Sequence, residues 1–451
     1  MTLVFILMIA FIGNLMESAS IQMAKNYRRT DMDRAMESVF AEYQRELLDE
    51  FDVFGLEGSY ETGEFTERQI FERLEYYGAA GIENQILAIE LLTDNGGQAF
   101  REQIARYMES KYGLDFLSKW TENIGLLEDN DEKAEWLKEL GDSQESKLEQ
   151  LLTVNGAELS GENNPLSNIK TIQNRPLMEL VFPEGNEVSE GRLELSDTLS
   201  HRNMRSGYGT FGMELEKKKL SSLLFGEYLL EHFSSAADAE QYSLGDSLQY
   251  EIEYILSGKA SDKENVEKVI DKLLLVRMVF NYAFVSADAS KRLEAEAMAA
   301  TLSTIVMLPE ITEAVTQVLL LAWAFGESVI DLRSLLSGNK VALIKTDSTW
   351  QTSISSLLTL GTAEDSLEGR NQEGGWSYSD YLRVLLFLQE KTTGEDRLTL
   401  RTLDMVEKRL RYDKDLEWFR ADACVSKLEI KSRCNLGRGI TYQFNTYFGY
   451  R

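Results

Sequence analysis

Residues 1–16, MTLVFILMIAFIGNLM, carry no charged side chain and only two with hydrogen-bonding groups, Thr2 and Asn14. Residues 17–24, ESASIQMA, add no helix breaker, and Lys25, Arg28 and Arg29 follow at once. A hydrocarbon layer roughly 30 Å thick is crossed by about 20 helical residues. Thr2–Ala24 therefore reads as one membrane-spanning helix. Leu3, Phe5, Ile6, Ile9, Phe11, Ile12 and Leu15 are its anchoring side chains, and the three cations reach back to headgroup level. Two rivals exist. A cleaved signal peptide needs a basic segment before the apolar run and a small-residue cleavage box, and neither is present here. A buried core helix would show one apolar stripe, whereas this segment is apolar on every side. The cations lie after the span, so the positive-inside rule alone would put the body in the cytoplasm.

The helix pattern continues past the cations. Met32, Met36, Val39, Tyr43, Leu47 and Phe51 recur at three or four residues until Gly55 and Gly58, which is helical periodicity. With the anchor this predicts one rod of about fifty residues, roughly 75 Å long, whose outer half packs on its own body or on neighbouring subunits.

Behind the rod the chain is acidic. The net charge is −28 over 451 residues, and residues 31–150 hold 30 Asp and Glu against 11 Lys and Arg. Such a surface repels phosphate backbones, so nucleic acid is not an expected partner. With 43% hydrophobic residues and four prolines, the chain can bury one or two cores.

Helices are predicted at Thr66–Tyr77, Ile82–Thr93, Gln98–Lys111 and Asp131–Leu152. Residues 154–213 hold three of the prolines, Pro165, Pro176 and Pro183, and read as an irregular connection with one short strand, Leu177–Phe182. Helices resume at Tyr250–Leu256, Asn265–Phe284, Ser290–Leu308 and Glu310–Leu335, the last pair broken by Pro309. Within the last of these, Val318–Phe325 is the most apolar stretch after the N-terminus, but at eight residues flanked by Glu313 and Glu327 it suits a core helix. Ser377–Gln389 and Arg397–Tyr412 are further helices, and Cys424–Arg433 with Gly439–Tyr447 form a candidate β-hairpin.

Signatures of catalysis are missing: there is no HExxH, GxSxG, GxGxxG, Walker loop or CxxC. Ser257-Gly258-Lys259 lacks the earlier glycine of a phosphate loop and reads as a helix cap. Asp129-Asn130-Asp131-Glu132 lacks the glycine and final glutamate of an EF-hand and reads as an acidic turn. Two histidines, His201 and His232, are too few for a histidine metal centre, and no cofactor is expected. Cys424 and Cys434 are candidates for one bridge if the body is extracytoplasmic, with two free thiols as the alternative. Glu327, Asp331 and Arg333, followed by Lys340, Lys345 and Asp347, are candidate structural ion pairs at a helix end; acid–base work in a cleft is the rival reading. Trp323, Trp350, Trp376 and Trp418 read as packing residues.

Five segments carry a family resemblance: TLVFILMIAFIGNLMESASIQ (2–22), AMESVFAEYQRELLDEFDVFGL (35–56), YEIEYILSGKASDKENV (250–266), AWAFGESVIDLRSLLSGNKVALIKTDSTW (322–350) and SYSDYLRVLLFL (377–388). The chain resembles an uncharacterised family of single-span membrane proteins encoded with tight-adherence (Tad) pilus genes in Gram-positive bacteria, and its N-terminus is similar to TadE-like pseudopilins. The resemblance implies a body outside the cell, against the charge rule above, and other pilus or surface-assembly subunits as partners.

The expected fold is α+β and predominantly α: a transmembrane anchor (1–24), an acidic rod and helical region (25–153), a connection (154–213), a helical core (214–360) and a C-terminal α+β region with an antiparallel β element (361–451). The expected role is structural and non-enzymatic, in a single-pass protein of the cell membrane. A tethered binding module for a glycan or protein ligand is the alternative.

Overall fold

A computed structural model describes residues 2–112, 125, 127, 130–159, 164–182, 188–211, 218–237, 248–436 and 439–450. Asp129 of the acidic turn and Gly437 and Arg438 of the hairpin turn lie outside the described residues. In chain order the elements are α1 (Thr2–Phe40), α2 (Arg45–Phe51), β1 (Leu56–Glu57), α3 (Glu67–Leu74), β2 (Glu83–Leu91), α4 (Asp94–Tyr112), α5 (Asn130–Asn155), α6 (Pro165–Gln173), α7 (Leu177–Val181), α8 (Lys218–His232), α9 (Glu251–Ser257), α10 (Asp262–Ala287), α11 (Ala289–Ile305), α12 (Thr312–Leu336), α13 (Tyr378–Thr393), α14 (Glu395–Tyr412), β3 (Cys424–Asn435) and β4 (Thr441–Gly449). The fold is α+β and mainly helical, as expected.

Two compact units divide the chain. One gathers residues 1–113, 195–228 and 393–451; the other gathers 114–194 and 229–392. Each is discontinuous, whereas the sequence was divided into consecutive stretches.

The first unit is built on a four-stranded antiparallel sheet. β3 is central, with β2 along one side and β1 and β4 at successive stretches of its pairing. The inner end of α1 lies in its core: Met32, Met36, Val39 and Phe40 share one cluster with Ile86, Ile89, Leu428, Ile430 and Phe444.

The predicted continuous rod is corrected here, because α1 stops at Phe40. In an unbroken helix the Gln44 N–H would donate to the Phe40 carbonyl. Instead Gln44 N–H donates to Gly55 O at 2.9 Å, and the Phe40 carbonyl accepts the Tyr450 hydroxyl at 2.6 Å. Phe448 and Tyr450 close around the Phe40 ring, with centroids at 4.4 and 5.1 Å. A residue over four hundred positions away thus ends the helix, and no local glycine or proline announces it. Tyr450→Phe removes that donor and keeps the ring. The expected cost is about 1–3 kcal/mol, the range for orphaning a buried carbonyl, seen as a lower denaturation midpoint. An unchanged midpoint would show that the hydroxyl does not hold the break.

The predicted helix Ile82–Thr93 is a second correction, since it forms strand β2. Ile86 pairs with Ile430 and Ile89 with Leu428, and a register shift lies between Ile86 and Ala88. In a regular strand, residues three apart face opposite sides. The bulge adds one residue and returns both isoleucines to the core face, so the strand imitates helical spacing. The predicted strand Leu177–Phe182 is a third correction. Pro176 precedes a short helical turn there, and Phe182 N–H donates to Met178 O at 3.1 Å.

In the second unit α10, α11 and α12 pack together. Pro309 opens a short 3-10 turn before α12, as the break at Pro309 predicted. The segment Pro309–Leu336 is long and apolar enough to cross a membrane, but 83% of its most apolar window is buried. That is how a core helix behaves. Gly258 caps α9 in the left-handed conformation, φ 68°, its N–H donating to Tyr254 O, so Ser257-Gly258-Lys259 is a helix end.

Candidate functional site

Two features concentrate unusual chemistry: the outer part of α1 and a buried charge cluster in the second unit.

No residue of α1 before Met32 is buried. Leu3, Phe5, Ile6, Ile9, Phe11, Ile12 and Leu15 are each more than half exposed. Water does not tolerate so large a contiguous apolar surface on a folded protein without a purpose. The helix is long and apolar enough to span a membrane. Further along, Met32, Met36, Val39, Leu47 and Phe51 are buried, while Tyr43 lies half-buried in the break, edge-on to Phe54 at 5.1 Å. The Lys25 ammonium lies 5.4 Å from the Tyr442 ring centre.

The charge cluster is assembled from α10, α12, α13 and the segment after α12. Arg277 donates from Nε and Nη2 to Asp331 Oδ2 at 3.0 and 2.8 Å, and from Nη1 to Tyr381 Oη and the Leu343 carbonyl. Asn281, one turn along α10, donates to the same Asp331 oxygen at 2.9 Å. Lys345 donates to Asp331 Oδ1 at 2.6 Å and to Glu327 Oε1 at 2.7 Å. Glu327 also accepts the Gln351 and Thr352 backbone N–H groups and the Thr352 hydroxyl. Arg277, Asp331, Glu327 and Lys345 are all buried, two cations against two anions.

Such groups survive burial only when paired and hydrogen-bonded. Burial pushes the Glu327 carboxyl above its ordinary range despite Lys345 beside it. Burial acts on Asp331 as well, but Arg277 and Lys345 outweigh it and hold that carboxyl below its ordinary range. Arg333 points elsewhere, pairing with Asp365 at 2.7 Å and donating to the Leu180 and Leu367 carbonyls. The three residues named from sequence thus belong to two separate ion-pair sets. Arg277, Asn281 and Tyr381 were missed. The available signal was a lone arginine inside LLLVRMVF (273–280), a charge that an apolar helix face must neutralise.

Trp323 and Trp350 are buried beside this cluster, at 5.8 Å edge to face, and Trp323 Nε1 donates to Thr352 Oγ1. Trp418, in the first unit, is 56% exposed. Cys424 and Cys434 are free thiols, both buried. The candidate bridge is corrected: both lie on β3, ten positions and roughly 33 Å apart, far beyond the reach of a disulfide. Among the described residues, no group of three His, Cys, Asp or Glu side chains is placed to hold a metal ion.

Glu253 is a separate buried acid. Its Oε1 accepts the Tyr378 hydroxyl at 2.8 Å and the Ala236 N–H at 2.9 Å, and Oε2 has no hydrogen-bond partner among the described residues. Burial pushes its pKa from 4.5 up to about 7, with Asp262 adding to the rise. The unfolded chain ionises first, so stability falls as pH rises from about 4.5 through 7 and levels off above. The gap corresponds to about 3 kcal/mol. Glu253→Gln keeps the acceptor Oε1 and removes the ionisation. Its advantage over the natural chain is expected to grow between pH 5 and pH 8 in thermal melts. A constant difference across that range would refute the assignment.

Together these features define a mostly helical α+β protein with an exposed apolar N-terminal helix and an internally neutralised ionic core. The chain belongs to a family of unknown function, DUF5702, whose profile matches residues 155–436. The matched span contains the whole charge cluster and excludes α1. No curated protein and no solved structure matches the chain.

Proposed function

We propose that the protein is a membrane-anchored, non-enzymatic structural or accessory component of a Tad-type pilus or surface-assembly system, with a pseudopilin-like N-terminus and its body outside the cell. The observation that carries this reading is α1, whose apolar outer part is wholly exposed while its inner part is built into the core of the first unit. A helix of this kind couples a membrane to a folded body without a flexible linker. The buried, mutually paired state of Glu327, Asp331 and Lys345 supports a scaffold role for these residues. The pilus assignment rests on the five resembling segments, and other assembly subunits are the partners it implies.

Protease treatment of intact cells tests the placement, with an antibody against the acidic body as readout. Digestion without lysis is expected. Protection until lysis would put the body in the cytoplasm, agree with the cations after the span, and remove the surface role.

A further inference from the structure

The second unit contains a cavity of about 750 Å³, half open to solvent and lined by α5, α6, α10 and α12. Leu137 and Leu148 of α5, Leu166 of α6, Met278 of α10 and Leu321 of α12 give it apolar walls. The volume falls within the roughly 300–1,000 Å³ of small-molecule sites. An apolar cavity of roughly 150 Å³ already takes up benzene.

α5 is shaped for this space. Ala134, Leu137, Gly141, Leu148 and Leu152 form one helical stripe along the cavity. A Cβ at Gly141 would stand 3.8 Å from Leu321, an ordinary van der Waals contact, so α5 meets α12 at this point of the wall. The rim is polar and carries Glu135, Asp142, Glu145 and Glu149 against Lys138 and Lys170. Glu149 already engages Lys170 at 3.2 Å. An excess of carboxylates at the mouth repels an anionic head.

We infer that this cavity binds a single-chain amphiphile, an acyl-length apolar tail with an uncharged or cationic head. The inference is independent of the surface-assembly role. The test uses the full chain in phosphatidylcholine nanodiscs with a photoreactive long-chain alcohol, and cross-linked peptides are mapped by mass spectrometry. Label is expected on α5 and α12, with α1 labelled by the bilayer as internal control. Leu321→Trp fills the cavity and should cut α5 and α12 labelling about tenfold while leaving α1 unchanged. Gly141→Leu fills it from the opposite wall and serves if the first variant does not fold. The same chain bearing a carboxylate head should label more weakly, and one bearing trimethylammonium at least as strongly. Labelling of α1 alone, or undiminished labelling in a folded filled variant, would overturn the site. Stronger labelling by the carboxylate would overturn the head-group assignment.

Discussion

Arg277→Met should destabilise the second unit by about 3–5 kcal/mol, the cost of removing one partner from a buried ion pair. Methionine matches the arginine stem but leaves Asp331 without the two guanidinium bonds at 3.0 and 2.8 Å, and leaves Tyr381 and the Leu343 carbonyl without their donor. For a unit of this size the melting temperature should drop on the order of 10 °C. Arg292→Ala provides the contrast. Its pair with Glu296 is nearly half exposed on both sides, and exposed pairs contribute at most about 1 kcal/mol. Comparable melting temperatures for the two variants would mean that the cluster does not hold the core. A cycle of Lys345→Met, Glu327→Gln and the double variant adds a sharper measurement. Lys345→Met strands a buried anion, so neutralising Glu327 in the same chain should recover part of the loss. Strict additivity would show that the two groups are not coupled, despite their 2.7 Å contact.

Ile9→Arg is expected to release the protein from membranes. Arginine near the middle of a spanning helix costs roughly 2.5–3.5 kcal/mol on insertion scales, whereas isoleucine is favourable there. That corresponds to about two orders of magnitude in the membrane-bound to soluble ratio. Ile9 is 56% exposed and no residue before Met32 is buried, so the substitution leaves the core of the first unit untouched. Fractionation should move the variant to the soluble pool with its melting behaviour retained, while Ile9→Leu stays with the membrane. An arginine variant that remains in the membrane fraction would count against α1 as the anchor.

These two positions also differ in how far they were legible. The exposed apolar helix around Ile9 was legible outright, because sixteen residues without a charge cannot be reconciled with an amphipathic surface helix. The charge cluster was half legible. Glu327, Asp331 and Lys345 lie within nineteen residues of sequence, in one charged stretch with Arg333, Lys340 and Asp347. Their key cation, Arg277, sits on another helix, and Tyr381 on a third, so only packing could join them. Arg333, two positions after Asp331, serves a different pair, because residues two apart on a helix point to different faces.

Where local chemistry decides structure, the amino-acid order was sufficient: the apolar N-terminal helix, the helix cap at Gly258, the break at Pro309, the core helix α12 and the β3–β4 pairing of a β-rich tail. These follow from hydrophobic periodicity, backbone restriction and propensity, which act within a few residues. Tertiary structure alone decided the rest. Tyr450 ends α1 at Phe40, a bulge opposite β3 turns an apparent helix into β2, and Arg277 finds Asp331. In each case the deciding partner is remote in sequence, and a hydrogen bond, strand register or ion pair with that partner outweighs the local preference.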